Sequence, residues 1–461
     1  MNKTIKQLIV LKLLILTCIS VTPACSNSKK SILTGIVEGF YGKPWTHKKR
    51  LHMIDFLGKN KFNFYLYGPK HDAYHRSKWR IPYPKHKIKE LKELINVCKR
   101  NKVIFCFAIS PGITIKYHSK RDFNLLITKY RDIYKLGIYF FALFLDDIPV
   151  KLKYKTDKKK FKNLANAHIN LINKTYRALK RIDIQNRLIV VPTHYHGFKH
   201  QNYLKNISNS IPKDIPICWT GPKIVSPKIT CSHLKSYHEI VKRKIFIWDN
   251  YPVNDFKTTD LFLGPLTGRC SNIDKYVSIY LLNPMNQAYL SKIPLLTFKD
   301  WISRKNKYVP YLSWRKALKR TFKNYKKRHR ELFSLFTKTR LKNQIKPYIK
   351  RLFHEYLFAK NARERGEFKK EIIKQLNIVS NTINDLRKRN RIIYHEMKLW
   401  LDKLVLLIET TKLALNFYKR NTKQRIFFKF DNLKKRYNMI KKRISANLFE
   451  SFIHKLITKN R

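Results

Sequence analysis

Residues 139–149 read YFFALFLDDIP, an apolar run that stops at two adjacent carboxylates and a proline. A run this continuously apolar suits a strand covered on both faces, as in a parallel sheet. Seven more runs of the kind precede or follow it: Ile32–Tyr41, Asn63–Tyr67, Val103–Ser110, Leu188–Pro192, Ile215–Trp219, Ile245–Trp248 and Val277–Leu282. Longer amphipathic stretches rich in Lys and Leu separate them. Eight strand–helix units in about 250 residues predict a (β/α)8 barrel over 30–300. Most runs end in polar or special residues: Glu38-Gly39, Pro69-Lys70, Asp146-Asp147, Thr193-His194-Tyr195, Thr220-Gly221, Asp249-Asn250 and Asn283. A barrel carries its active site at the C-terminal ends of its strands, so chemistry is expected there.

Beyond a linker over 301–312 the pattern becomes helical. Ile372, Leu376, Val379, Ile383 and Leu386 share one helix face, as do Ile393, Met397, Trp400, Leu404, Leu407, Thr411 and Leu415. The stretch 313–461 therefore reads as a basic all-α bundle, with Pro310 opposing helix on its N-terminal side and Ser313 as N-cap.

Apolar residues make up 44% of the 461, enough for a large core, and 12 glycines exclude a low-complexity chain. Lys and Arg number 99 against 29 Asp and Glu, a formal +70 that would attract any polyanion. Frequent Lys, Asn, Ile, Tyr and Phe together also fit biased codon content, so charge leaves the function open. Of seven cysteines, Cys18 and Cys25 fall in the N-terminal segment. The other five, Cys98, Cys106, Cys218, Cys231 and Cys270, form no CxxC pair, a poor disulfide framework and a poor zinc site. The N-terminus has a signal-peptide layout over 1–24: Lys3 and Lys6, apolar Leu8 to Val21, then small residues before Cys25. A secreted, periplasmic or surface-anchored protein is expected, with Cys25 a candidate lipid attachment point and no membrane span once the leader is removed.

An Asp pair at a strand end more commonly starts a loop or caps a helix. Successive strand residues face opposite ways, so Asp146 and Asp147 can share a site only where the strand breaks, and Ile148-Pro149 places a break there. Two such carboxylates repel, so one is expected to hold its proton to higher pH. That division suits glycoside cleavage: one acid for the leaving oxygen, one anion for developing positive charge.

Further motifs surround the pair. GIVEGFYGKPW at 35–45, NFYLYGPKHDAYHRSKWR at 63–80, ISPG at 109–112, PTHY at 192–195, WTGPKIVS at 219–226, WDNYPVND at 248–255, LGP at 263–265 and LNP at 282–284 occur in order. With FLDDI at 144–148, they resemble glycoside hydrolase family 84, the β-N-acetylglucosaminidases that include protein O-GlcNAcases and bacterial enzymes once called hyaluronidases. The resemblance covers 32–300. It implies that Asp146 orients the substrate's 2-acetamido group and that Asp147 is general acid and then base, in an exo-acting, retaining, substrate-assisted reaction through an oxazoline. It implies sugar-hydroxyl contacts for Gly39, Lys70, Asp255 and Asn283, and an acetamido neighbour in Asn250. Tyr195 would contact the oxazoline oxygen, with Thr220, Ile224 and Trp248 as pocket wall. Its implied partner is a glycan or glycoprotein bearing N-acetylglucosamine, with no cofactor. His71, Thr114 and His194 stand where the family often has acids. His194, His196 and His200 lack the acidic partner that a metal site would need. The competing reading is an inactive barrel that binds polyanions or glycans through its basic helical region.

Overall fold

In the computed structural model each of the eight apolar runs holds a strand. The structure describes residues 32–322, 325–337, 345–416, 423–445 and 447–458. The expected leader over 1–24 and Cys25 lie outside them.

The strands are β1 (Leu33–Glu38), β2 (Phe64–Tyr67), β3 (Ile104–Ile109), β4 (Phe140–Phe144), β5 (Arg187–Val191), β6 (Ile217–Trp219), β7 (Ile245–Asp249) and β8 (Val277–Leu282). Neighbours pair in parallel and β8 returns to β1, Leu33 opposite Ile279, which closes the barrel. Inward side chains such as Val37, Leu66, Ala108, Ala142, Ile189 and Ile279 fill the interior. The outward set meets the helices.

Those helices are α1 (His47–Lys59), α2 (Lys85–Arg100), α3 (Lys120–Tyr134), α4 (Lys155–Phe161), α5 (Leu164–Ile182), α6 (Gln201–Ser210), α7 (Cys231–Val241) and α8 (Ala288–Arg304). Side chains of Thr46, Ser119, Asn163 and Thr230 each accept a backbone N–H three residues on, which starts α1, α3, α5 and α7. Two helices follow β4. None follows β7, where residues 250–276 form a loop with two short 3-10 turns.

A loop of that length needs partners for its backbone groups. The C-terminal helices provide them: α9 (Pro310–Thr321), α10 (Lys327–Ser334), α11 (Tyr348–Leu357), α12 (Ala362–Arg389), α13 (Arg391–Leu415), α14 (Lys423–Met439) and α15 (Leu448–Thr458). The Trp314 indole donates to Leu263 O (2.8 Å) and the Trp400 indole to Thr259 O (2.8 Å). Leu263 N donates to Phe336 O, and Arg443 N to Thr259 O. Glu396 accepts from Tyr289 N and Leu290 N at the start of α8, tying α13 to the barrel.

Beyond the helix absent after β7, two further expectations need correction. The first concerns the helix after the linker, which begins at Pro310, with Val309 as its cap, and Ser313 lies buried inside it. Proline fits the first helical position because the N–H it lacks has no partner there in any case. The second concerns the cysteines. Cys231, first residue of α7, is bonded to Cys270 of the β7–β8 loop, while Cys98, Cys106 and Cys218 are free and buried. The sequence spacing hides this pairing because the two meet only where Ile229 bridges Arg269.

The bond closes a segment of sequence separation 39, which on chain-entropy grounds contributes about 4 kcal/mol. Replacing both cysteines by serine should lower the unfolding free energy by about 2–4 kcal/mol in urea. An unchanged midpoint would show that the bond adds nothing.

Candidate active site

The C-terminal ends of the strands surround a cavity of about 230 Å³. Gly39, Lys70, Asp146, Asp147, Tyr195, Thr220, Ile224, Trp248, Asn250, Asp255 and Asn283 all line it. The structure therefore brings together every site residue singled out in the sequence.

Strand alternation explains which neighbours do not reach it. Glu38 turns out to a buried ion pair with Arg50 (2.8 Å), leaving Gly39 at the cavity. Asp249 turns out to Arg269 (2.7 Å) and the Tyr280 hydroxyl (2.7 Å), leaving Trp248 and Asn250 on either side of it to face in. At β4 the alternation is broken. Asp147 sits at φ 52°, a left-handed conformation that costs an L-residue about 1–2 kcal/mol. That turn sends its carboxylate into the same cavity as that of Asp146.

Lys70, buried, holds the pair together. Its ammonium donates to Asp146 Oδ2 and lies 3.7 Å from Asp147 Oδ2. The rings of Tyr41, Phe144 and Trp248 lie 5.6–5.7 Å from the same ammonium. Asp147 also accepts from the hydroxyls of Tyr41 (2.6 Å) and Tyr195 (2.9 Å). Burial pushes the Asp147 carboxyl up, but Lys70, the two tyrosines and Arg76 together hold it below the usual range. A buried cation thus stands beside both acids and offsets the repulsion between them.

Opposite, the Trp248 indole donates to Asn250 Oδ1 (2.9 Å), as does Asn283 Nδ2 (3.0 Å), and Asn250 Nδ2 donates to Ile224 O (2.8 Å). Asp255 accepts from Tyr41 N (2.8 Å), and burial raises its pKa. Among the described residues Asp146 Oδ1 and Asn283 Oδ1 are buried without a partner. An unmet buried acceptor costs about 1–3 kcal/mol, and both belong to residues that line the cavity.

Tyr41, Val191, Cys218, Val225, Val253 and Phe256 also line the cavity and were not singled out in the sequence. Tyr41 lay inside a quoted motif, yet an aromatic beside Phe40 carries no sign of its own that it faces a site. His194 stacks on His200 (3.6 Å) and edges against Tyr203, and Thr114 accepts from Trp79 and Arg80.

A parallel barrel with paired carboxylates at one strand mouth, in a cavity walled by tryptophan, defines a glycoside hydrolase. A sequence model of the β-N-acetylglucosaminidase family matches residues 34–337. The protein O-GlcNAcases of Mus musculus and Rattus norvegicus are each 32% identical over 282 residues. That is 60% of this chain and 30% of theirs, so the match spans less than a third of these relatives. A solved structure of an O-GlcNAc hydrolase variant from Thermobaculum terrenum shares the fold at TM-score 0.85 and 29% identity, covering 92% of this chain and 94% of that one. The chain belongs to the β-N-acetylglucosaminidase family, glycoside hydrolase family 84.

A Cβ added at Gly39 would lie 2.2 Å from the Trp248 ring. Gly39→Ala should keep the fold by circular dichroism and lower kcat/KM on an aryl N-acetyl-β-glucosaminide by on the order of 10–10². Unaltered kinetics would remove Trp248 from the working wall.

Proposed function

We propose that the protein is a retaining exo-β-N-acetylglucosaminidase that releases terminal β-linked N-acetylglucosamine by substrate-assisted catalysis. One observation carries this reading. Asp146 has one oxygen engaged by Lys70 and the other buried and unpartnered, in the cavity it shares with Asp147. An acceptor so placed suits the acetamido N–H of a bound sugar.

Holding that N–H directs the amide carbonyl oxygen at the anomeric carbon. The oxygen bonds there as the glycosidic C–O bond breaks, and Asp147 passes its proton to the departing oxygen. Asp147, now a carboxylate, takes a proton from the water that opens the oxazoline, so the β-configuration is kept. The enzyme supplies no nucleophile. Seating a neutral sugar over Asp147 deepens its burial, the influence that raises its pKa, and so favours the acid form. Gly39, Lys70, Asp255 and Asn283 serve the sugar hydroxyls. Asn250 stands by the acetamido group, and Tyr195 by the oxazoline oxygen. Thr220, Ile224 and Trp248 wall the ring.

Membership of a hydrolase family favours this over an inactive polyanion-binding scaffold. We also infer export: the leader layout and the Cys231–Cys270 bond both suit an oxidising compartment. No helix among the described residues is long and apolar enough to cross a membrane.

Purified protein should hydrolyse an aryl N-acetyl-β-glucosaminide and spare the matching glucoside, which lacks the attacking amide. Equal rates on both would sink the mechanism. Asp147→Asn should cost on the order of 10²–10⁴ with poor leaving groups and less with activated ones. Asp146→Asn should impair both. Tyr41→Phe removes a donor that holds Asp147 low, so the acid form should persist to higher pH. The alkaline limb of kcat/KM, which reports the free enzyme, should move upward. A limb that stays or moves down would dissociate Tyr41 from the acid.

A further inference from the structure

Arg76 lies six residues beyond Lys70, on the turn that follows β2, and does not line the cavity. Its guanidinium reaches two parts of the Asp147 environment at once. Nη1 donates to the Tyr41 hydroxyl (3.1 Å) and Nη2 to the backbone carbonyl of Asp147 (3.3 Å). The same group lies 5.6 Å from the Tyr41 ring, and Lys70 lies 5.6 Å from it too.

These contacts have a directional consequence. A hydroxyl that accepts from Arg76 has its own proton free to donate elsewhere, and the Tyr41 oxygen is 2.6 Å from Asp147 Oδ2. Arg76 therefore sets which way the Tyr41 O–H points. The second arm grips the carbonyl of the residue whose left-handed turn brings its carboxylate inward. A lysine has one charged point where this task needs a planar fork.

We propose that Arg76 is a positioning residue for Asp147, aligning its carboxylate through the Tyr41 hydroxyl and through the Asp147 carbonyl. The inference rests on the reading of Asp147 as acid and base. It deepens that reading by naming what keeps the acid on line with the leaving oxygen.

Asp147 also faces Lys70 on the loop after β2, its neighbour Asp146 after β4 and Tyr195 after β5. His196 and Asp255 act on it at longer range. These groups remain in any Arg76 variant, and Lys70 still opposes the repulsion from Asp146. Loss of Arg76 removes a cation and frees the Tyr41 proton, and both changes favour protonated Asp147.

The test compares Arg76→Ala, Arg76→Lys, Tyr41→Phe, the Arg76→Ala/Tyr41→Phe double variant and Asp147→Asn. Each is assayed over pH with an activated and an unactivated aryl N-acetyl-β-glucosaminide, and thermal melting checks folding. For Arg76→Ala we expect a loss on the order of tenfold with the poor leaving group, within the hundredfold that a misplaced group costs. The activated substrate should be nearly unaffected, and the alkaline limb of kcat/KM should move upward. The double variant should lose less than the product of the two single losses, because both act on one hydroxyl. Arg76→Lys should keep the limb near its wild-type position yet still lose rate with the poor leaving group. Equal losses on both substrates, an unmoved limb in Arg76→Ala, multiplicative losses in the double variant or full rescue by lysine would each overturn the proposal. Asp147→Asn separates the two readings: if it too spares the unactivated substrate, the acid assignment itself has failed.

Discussion

One buried ammonium makes the site possible. Two adjacent carboxylates at the mouth of β4 would repel in a half-dry cavity, and Asp146 is buried there. Lys70 lies against both, bonded to Asp146 and 3.7 Å from Asp147. It lets the left-handed turn at Asp147 persist, because the charge that the turn brings inward meets a counterion there. Tyr41 and Tyr195 spread that charge further through two hydroxyls. Together these partners hold the Asp147 carboxyl below its usual range although burial pushes it up.

The far wall depends on a different constraint. The connection after β7 has no helix, so its backbone must be satisfied by something else. Indoles of α9 and α13, together with main-chain groups near Phe336 and Arg443, fill that role. The same connection carries Asn250 and Asp255, and Asp255 in turn accepts from Tyr41 N on the β1 side. The C-terminal helices are thus a support for one rim of the cavity, a role that their sequence, read as a basic bundle, does not reveal.

The barrel was legible because a parallel sheet covered on both faces leaves a near-continuous apolar signature, and each of the eight runs carries it. The cavity residues were legible because they fall at run ends and because their motifs resemble a known family. Other features were not. A disulfide between Cys231 and Cys270 follows from tertiary proximity, and sequence spacing holds no trace of it. Ser313 looks like a cap, yet proline at the first turn made one unnecessary. The missing seventh helix went unread because its loop is punctuated by short apolar pieces such as Leu261–Leu263. Glu38 and Asp249 resemble catalytic acids as much as Asp146 does, and only strand alternation sends them outward to arginines. Arg76 was invisible for the opposite reason: nothing about an arginine in a basic chain marks the one whose two arms meet a tyrosine and a strained carbonyl.

The central claim is that the substrate's own amide attacks, steered by an unpartnered oxygen of Asp146. The most direct measurement is the rate of hydrolysis across aryl β-glucosaminides whose N-acetyl group carries zero, one, two or three fluorines. Fluorine withdraws electrons from the carbonyl oxygen and weakens it as a nucleophile, so the account predicts a steep stepwise fall in kcat/KM along the series. A flat series would mean that another group attacks the anomeric carbon, and the account would be wrong.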